Sequence, residues 1–191
     1  MSDVVLLVVL ESERRGARAL RGVTRLQKLL YLVSTSPEYA ELQRTGDVPE
    51  IQFEPYRMGP FTPEIYDVIE FLSNFEPSLI TAVRGTRDRT NDIELSRYLD
   101  GVDLDESEPG VDSDLVPTTF ALTPDGRRVA EYLDSQAPRS LIKAIRQIVH
   151  DYGSLSLTEL LRRVYRDHPD MTTRSEILGQ VGLQPTCSPA P

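Results

Sequence analysis

Three stretches of the chain carry side chains whose types and spacing can do chemistry. The first holds Arg14, Arg15, Arg18, Arg21, Arg25 and Lys28, six basic residues against two acidic ones between Glu11 and Lys28. A local basic excess of this kind is what contacts to nucleic-acid phosphates require. The plainer reading is an arginine-rich solvated edge balancing carboxylates of the same molecule. It ranks first, because no Asn/Gln cluster able to read bases accompanies the arginines. The second stretch is Phe53-Glu54-Pro55-Tyr56-Arg57-Met58-Gly59-Pro60-Phe61-Thr62-Pro63. Aromatic, methionine and arginine side chains crowd a backbone stiffened by prolines, and such groups anchor protein interfaces when held rigidly. The competing reading is structural: Gly59-Pro60 makes the turn, Phe61 fills the core and Tyr56 covers it. The third stretch, Asp100 to Asp114, has seven acidic residues and no basic ones. It reads as a mobile, solvated charge run and lacks the ligand spacing of a calcium loop.

Catalytic readings fare poorly. No glycine-rich phosphate loop stands between a strand and a helix. Cys187, the only cysteine, lies in a charge-free, proline-containing tail with no ordered base beside it. His150 and His168, the only histidines, are each placed at a helix end. One cysteine and two histidines exclude a zinc cluster of the usual kind. No catalytic residue, metal or cofactor is therefore expected.

The whole chain sets limits on its partners. Its 191 residues carry 21 Lys+Arg and 30 Asp+Glu, a formal charge of −9. Such a charge repels a polyanion, so any binding to DNA is expected to be weak and salt-dependent. Nineteen of the basic residues are arginine, with Lys28 and Lys143 the only lysines. An acidic, lysine-poor composition suits both a salt-loving cytoplasm and a GC-rich genome. The longest apolar run, Val4 to Leu10, is far shorter than the roughly 20 residues that span a bilayer. It has neither the basic lead nor the cleavage site of a secretory signal. A cytoplasmic protein with no membrane partner is the expectation.

The elements that must position these side chains follow from periodicity and caps. Val4–Leu10 fits a strand or a buried helix by pattern; a helix running on to Arg14 is expected. Thr24-Arg25-Leu26-Gln27 reads as a capping box opening a helix with Leu26, Leu29, Leu30 and Val33 on one face and Arg25, Lys28 and Tyr31 on others. Ser34 to Pro37 stops it, and a short helix from Pro37 to Arg44 follows. Ile51 to Tyr56 alternates as an edge strand. Thr62-Pro63-Glu64 opens another helix, with Thr62 as cap, and Leu79–Val83 and Thr118–Leu122 are strands. Thr123-Pro124 caps a helix whose Val129, Ala130 and Leu133 face inward. Pro138 opens the next, which ends at Gly153, and Ser156-Leu157-Thr158-Glu159 is a second capping box. Helix, strand, long loop, strand and helix in that order describe a winged helix with an elongated wing. The expected fold is mainly helical α+β, winged-helix-like, with a small antiparallel sheet and C-terminal helices. Residues 1–178 form one domain, and 179–191 are a disordered tail.

Three landmarks resemble a known family. Thr24 to Tyr31 is similar to the LQKLLY helix of the Panacea-domain (SocA-like) antitoxins and the related YwgA-like proteins. Tyr56-Arg57-Met58-Gly59-Pro60-Phe61 resembles their YGP turn. Tyr152-Gly153-Ser154-Leu155, Leu160-Leu161, Val164 to Pro169 and Arg174-Ser175 resemble the YwgA-like C-terminal part. The resemblance implies a compact helical protein that neutralises a toxin, directly or as an adaptor to proteolysis, by binding and not by catalysis. Gln27, Lys28, Tyr31, Gly59 and Pro60 are its matching positions. The resulting expectation is a non-enzymatic regulatory module, antitoxin-like or defence-associated, that binds another protein through Arg25, Lys28, Tyr31, Tyr56, Arg57, Met58, Gly59 and Pro60. The alternative is a winged-helix DNA-binding regulator that uses the wing and the basic Arg14–Lys28 segment, with Arg14, Arg15, Arg18 and Arg21 as the nucleic-acid contacts.

Overall fold

A computed structural model of the chain describes residues 1–16, 20–84, 118–179 and 181–182. The acidic stretch 100–114, Arg18 and most of the C-terminal tail therefore lie outside the described residues. The elements in chain order are α1 (Ser2–Arg14), β1 (Leu20–Arg21), α2 (Val23–Ser34), α3 (Pro37–Thr45), β2 (Glu54–Tyr56), β3 (Gly59–Phe61), α4 (Glu64–Asn74), β4 (Ile80–Arg84), β5 (Thr118–Leu122), α5 (Pro124–Gln136), α6 (Arg139–Tyr152) and α7 (Leu157–Asp167). A 3-10 turn over Pro169–Thr172 follows α7.

One antiparallel sheet has the order β1-β5-β4, with Leu20 opposite Phe120 and Ile80 opposite Leu122. A separate hairpin pairs β2 with β3, Pro55 facing Pro60. The short β1 before α2, α4 leading into β4, and β5 inserted between β1 and β4 make the arrangement of a winged helix. The fold is mainly helical α+β with a small antiparallel sheet, as the sequence implies. Into that frame the chain inserts α3 and the hairpin before α4, and it adds α6 and α7 after α5.

Helix α1 is the central post. Val4 to Leu10 are all buried, so this helix is apolar around its whole circumference and is enclosed by α5, α6, β5 and α2. Enclosure on every side explains why its sequence shows a continuous apolar run with no stripe. Leu26, Leu29, Leu30 and Val33 of α2 join the same core. A second, smaller core gathers Tyr31 and Leu32 of α2 with Leu160, Leu161, Val164 and Tyr165 of α7, Ile177 and Val181. Val181 belongs to the segment expected to be a loose tail. It is fully buried, and its carbonyl accepts from Arg162 Nε at 2.9 Å.

Several caps differ from the sequence reading. Helix α2 begins at Val23 and its cap is Gly22, not Thr24. The Gly22 amide donates to the Thr118 carbonyl at 2.8 Å, which carries the sheet register up to the first residue of the helix. The chain then turns at φ +89°, a conformation glycine adopts without penalty. Thr62 does not cap α4; Pro63 stands at that position and the Thr62 hydroxyl is buried with no hydrogen-bond partner among the described residues. Thr123 and Ser156 do cap, accepting from the amides of Gly126 and Glu159. Val129 is 37% exposed instead of inward, while Ala130 beside it is fully buried.

Candidate functional site

The face of α2 that carries Arg25, Lys28 and Tyr31 is spaced at one helical turn per residue. That stripe is not open to solvent. Arg25 Nη1 donates to the Leu155 carbonyl at 2.7 Å, closing the turn between α6 and α7. Lys28 is 2% exposed and its Nζ donates to the Pro60 carbonyl at 2.8 Å. Burial brings its pKa down from 10.5 to about 7. Tyr31 is buried with its ring edge-on to Phe53 and His168, at centroid distances of 5.2 and 4.8 Å. Burial, with Asp170 adding to it, raises its phenol to about 12. A partner-binding role for Lys28 and Tyr31 as surface groups is therefore revised: the chain's own hairpin and C-terminal elements occupy their face.

The hairpin is seated by contacts from below. Gly59 has φ +85°, and a Cβ there would stand 2.4 Å from the Tyr165 ring. Both backbone angle and packing thus demand glycine. Gly59, Pro60 and Phe61 are all buried, so Gly59 and Pro60 support the turn and do not present a surface. Phe61 stacks on Tyr56 at 4.7 Å and lies 6.4 Å from Tyr66.

The tip, Tyr56-Arg57-Met58, is half-buried and faces the C-terminal segment. The Arg57 carbonyl accepts from the Glu176 amide at 2.9 Å, and Arg57 Nε lies 3.3 Å from the Glu176 carboxylate. Its Nη1 is buried with no hydrogen-bond partner among the described residues. The guanidinium groups of Arg57 and Arg174 lie 5.9 and 5.7 Å from the centroid of the Tyr56 ring, one attached to the hairpin and one to the C-terminal segment. Met58 packs on the second core. The tip therefore offers one aromatic ring and one arginine on a backbone fixed from beneath, with Arg174 of the C-terminal segment beside them.

The basic segment is dispersed. Arg14 pairs with Asp134 at 2.8 Å, and Arg15 with Glu11 at 3.0 Å. Arg21 is exposed on β1. Residues 14, 15 and 21 thus do not assemble a continuous basic face among the described residues, because the first two are neutralised within the molecule. The helix directly preceding the wing strands, α4, occupies the place from which a winged helix enters a DNA groove. It exposes Glu64, Asp67 and Glu70, carries no basic residue, and shows Phe71 at 52% and Phe75 at 43% exposure.

One feature escaped the sequence reading: Arg139, Lys143, Arg146 and His150 recur at helical spacing on the outer side of α6. Their i, i+4, i+7, i+11 pattern was legible; the wall that turns it into a groove was not. Among the described residues no group of three or more His, Cys, Asp or Glu side chains is placed to hold a metal ion. No described helix is long and apolar enough to cross a membrane. Comparison of the chain with family models, with curated proteins and with solved structures finds no match in any of the three.

Proposed function

We propose that this chain is a non-enzymatic regulatory module of the cytoplasm, antitoxin-like or defence-associated, that acts by binding another protein. The observation that carries the reading is the character of α4. Three exposed carboxylates and no base at the DNA-entering position of a winged helix repel phosphates, and the neighbouring exposed Phe71 and Phe75 are groups that protein interfaces use. The tip Tyr56-Arg57-Met58 supplies a second set of interface-type side chains on rigid backbone. The internal pairing of Arg14 and Arg15 weighs against the alternative, a DNA-binding regulator.

The test pairs two measurements. Affinity capture from the native host, with the products of neighbouring genes identified, is run on the wild type, Arg57→Ala and Phe71→Ala. A partner retained by the wild type and lost from either variant is the expected result. Labelled duplex is titrated at low and moderate salt. Tight, sequence-selective binding that survives moderate salt overturns the proposal in favour of DNA regulation.

A further inference from the structure

An open groove of about 580 Å³ lies between the end of α1, the end of α5 and the outer face of α6. Four cationic side chains line it, Arg15, Arg139, Lys143 and Arg146, together with His150 and a single carboxylate, Asp134. In a chain of formal charge −9 this lining is locally positive, and the Asp151 carboxylate, bonded to His150 and Gln147, tempers it at that end. Arg15 and Arg146 are committed internally, to Glu11 and Asp134, and the spare charge rests on Arg139 and Lys143. Asp134 and Glu11 are shared among Arg14, Arg15 and Arg146. Lys143, with its side chain 77% exposed, has only Glu38 at 3.8 Å. Arg139 is exposed and has no carboxylate partner among the described residues.

We propose that this groove binds an extended acidic segment of a partner protein. The spacing of the stripe favours that ligand. Steps of four and three residues along Arg139, Lys143 and Arg146 set successive cations about 4.5–6 Å apart along the axis. An extended peptide places alternate side chains about 6.6 Å apart on one face. A run of carboxylates can therefore engage the cations in sequence while Ala137 and Ile142 meet its apolar atoms. A nucleic acid fits less well. No Phe, Tyr or Trp side chain lines the groove to stack a base, and the acidic remainder of the surface repels a second strand. This surface is separate from the Tyr56–Met58 tip and from α4, so it stands or falls independently of them.

The experiment uses the full chain and a fluorescent peptide of ten glutamates, with a ten-nucleotide oligothymidylate as the competing polyanion, both titrated at low salt. The groove variant is Arg139→Glu with Lys143→Glu, backed by the milder Arg139→Gln with Lys143→Gln should charge reversal disturb folding. The control, Arg44→Glu with Arg128→Glu, makes the same change in net charge on other exposed sites. Expected are saturable binding of the glutamate peptide, weaker binding of the oligonucleotide, and a loss of at least about tenfold in the groove variants with the control unchanged. No saturable binding of the peptide, an equal loss in the control, or an oligonucleotide bound as tightly as the peptide overturns the proposal.

Discussion

Lys28 and Lys143, the only lysines in the chain, sit in the two polar regions of this molecule, and the regions treat them oppositely. Beneath the hairpin, Lys28 is 2% exposed and gives its hydrogen bond to the Pro60 carbonyl. Along α6, Lys143 stands in solvent, with its nearest carboxylate at 3.8 Å. The buried region uses its polar groups to fix backbone: Lys28 holds β3, Arg25 holds the α6–α7 turn, and the Arg57 carbonyl holds the segment after α7 by accepting from the Glu176 amide. The groove leaves Arg139 without a carboxylate partner among the described residues and Lys143 with a distant one. A region whose donors are committed internally sets shape, whereas one with spare charge is equipped to bind. The tip of the hairpin joins the two behaviours, since its backbone is fixed while Tyr56, Arg57 and Met58 remain half accessible.

That contrast can be broken by mutation, and the largest effects belong to the buried region. Phe61→Ala is expected to cost about 3 kcal/mol, the low end for an aromatic truncation, because its ring partners Tyr56 and Tyr66 are themselves only half-buried. Denaturant unfolding measures it; a change below 1 kcal/mol would mean that the hairpin is not part of the cooperative core. Gly59→Ala follows at about 2–4 kcal/mol, combining a disfavoured positive φ with a collision against the Tyr165 ring. An unperturbed melt for this variant would remove the reason for glycine at the turn.

The next effect is a pH dependence. Burial lowers the pKa of Lys28 from its ordinary 10.5 to about 7 in the folded chain. Between those values the unfolded chain holds the extra proton, so stability rises with pH by up to about 1.4 kcal/mol per unit. Below about 7 both states are protonated and the cost of burying the ammonium is complete. Wild-type stability should therefore increase by about 2–3 kcal/mol from pH 7 to pH 9 relative to Lys28→Met, in which that slope is missing. Parallel curves for the two proteins would show that Lys28 stays charged in the fold.

The smallest effects belong to groups in partial or full contact with solvent. Arg57→Ala should shift stability by no more than about 1 kcal/mol, since its pair with Glu176 is partly solvated, while weakening capture of a partner at the tip. If it unfolds the protein, the turn is a structural device and its binding role is withdrawn. Lys143→Gln should leave the melt within about 0.5 kcal/mol.

Much of the fold was legible because it rests on local rules. The apolar run Val4–Leu10, the caps at Thr123 and Ser156, the stop at Ser34–Pro37 and the strands around Leu79–Val83 and Thr118–Leu122 each follow from neighbours in sequence. The failures at Thr24 and Thr62 share a cause. At Gly22 the register of a strand continues into the helix, and a long-range bond from its amide to the Thr118 carbonyl takes precedence over a side-chain cap. At Thr62 the preceding hairpin carries the hydroxyl into the interior.

The sequence by itself determined which side chains are available: a second polar stripe on α2, a rigid aromatic turn, a basic row on α6 and an acidic α4. Only tertiary structure decided what each one faces. Residues Arg25, Lys28 and Tyr31 have the spacing of an interface, and they are one, but the partner is the chain's own hairpin and C-terminal helix. Helical periodicity reports that a face must be covered and is silent on whether the cover is intramolecular. The row Arg139, Lys143, Arg146 and His150 reads as an ordinary solvated face until α1 and the end of α5 supply the opposing wall. Burial and groove formation depend on contacts between residues more than a hundred positions apart, such as Arg15 with the Arg146 carbonyl, and no local pattern encodes which distant element will arrive.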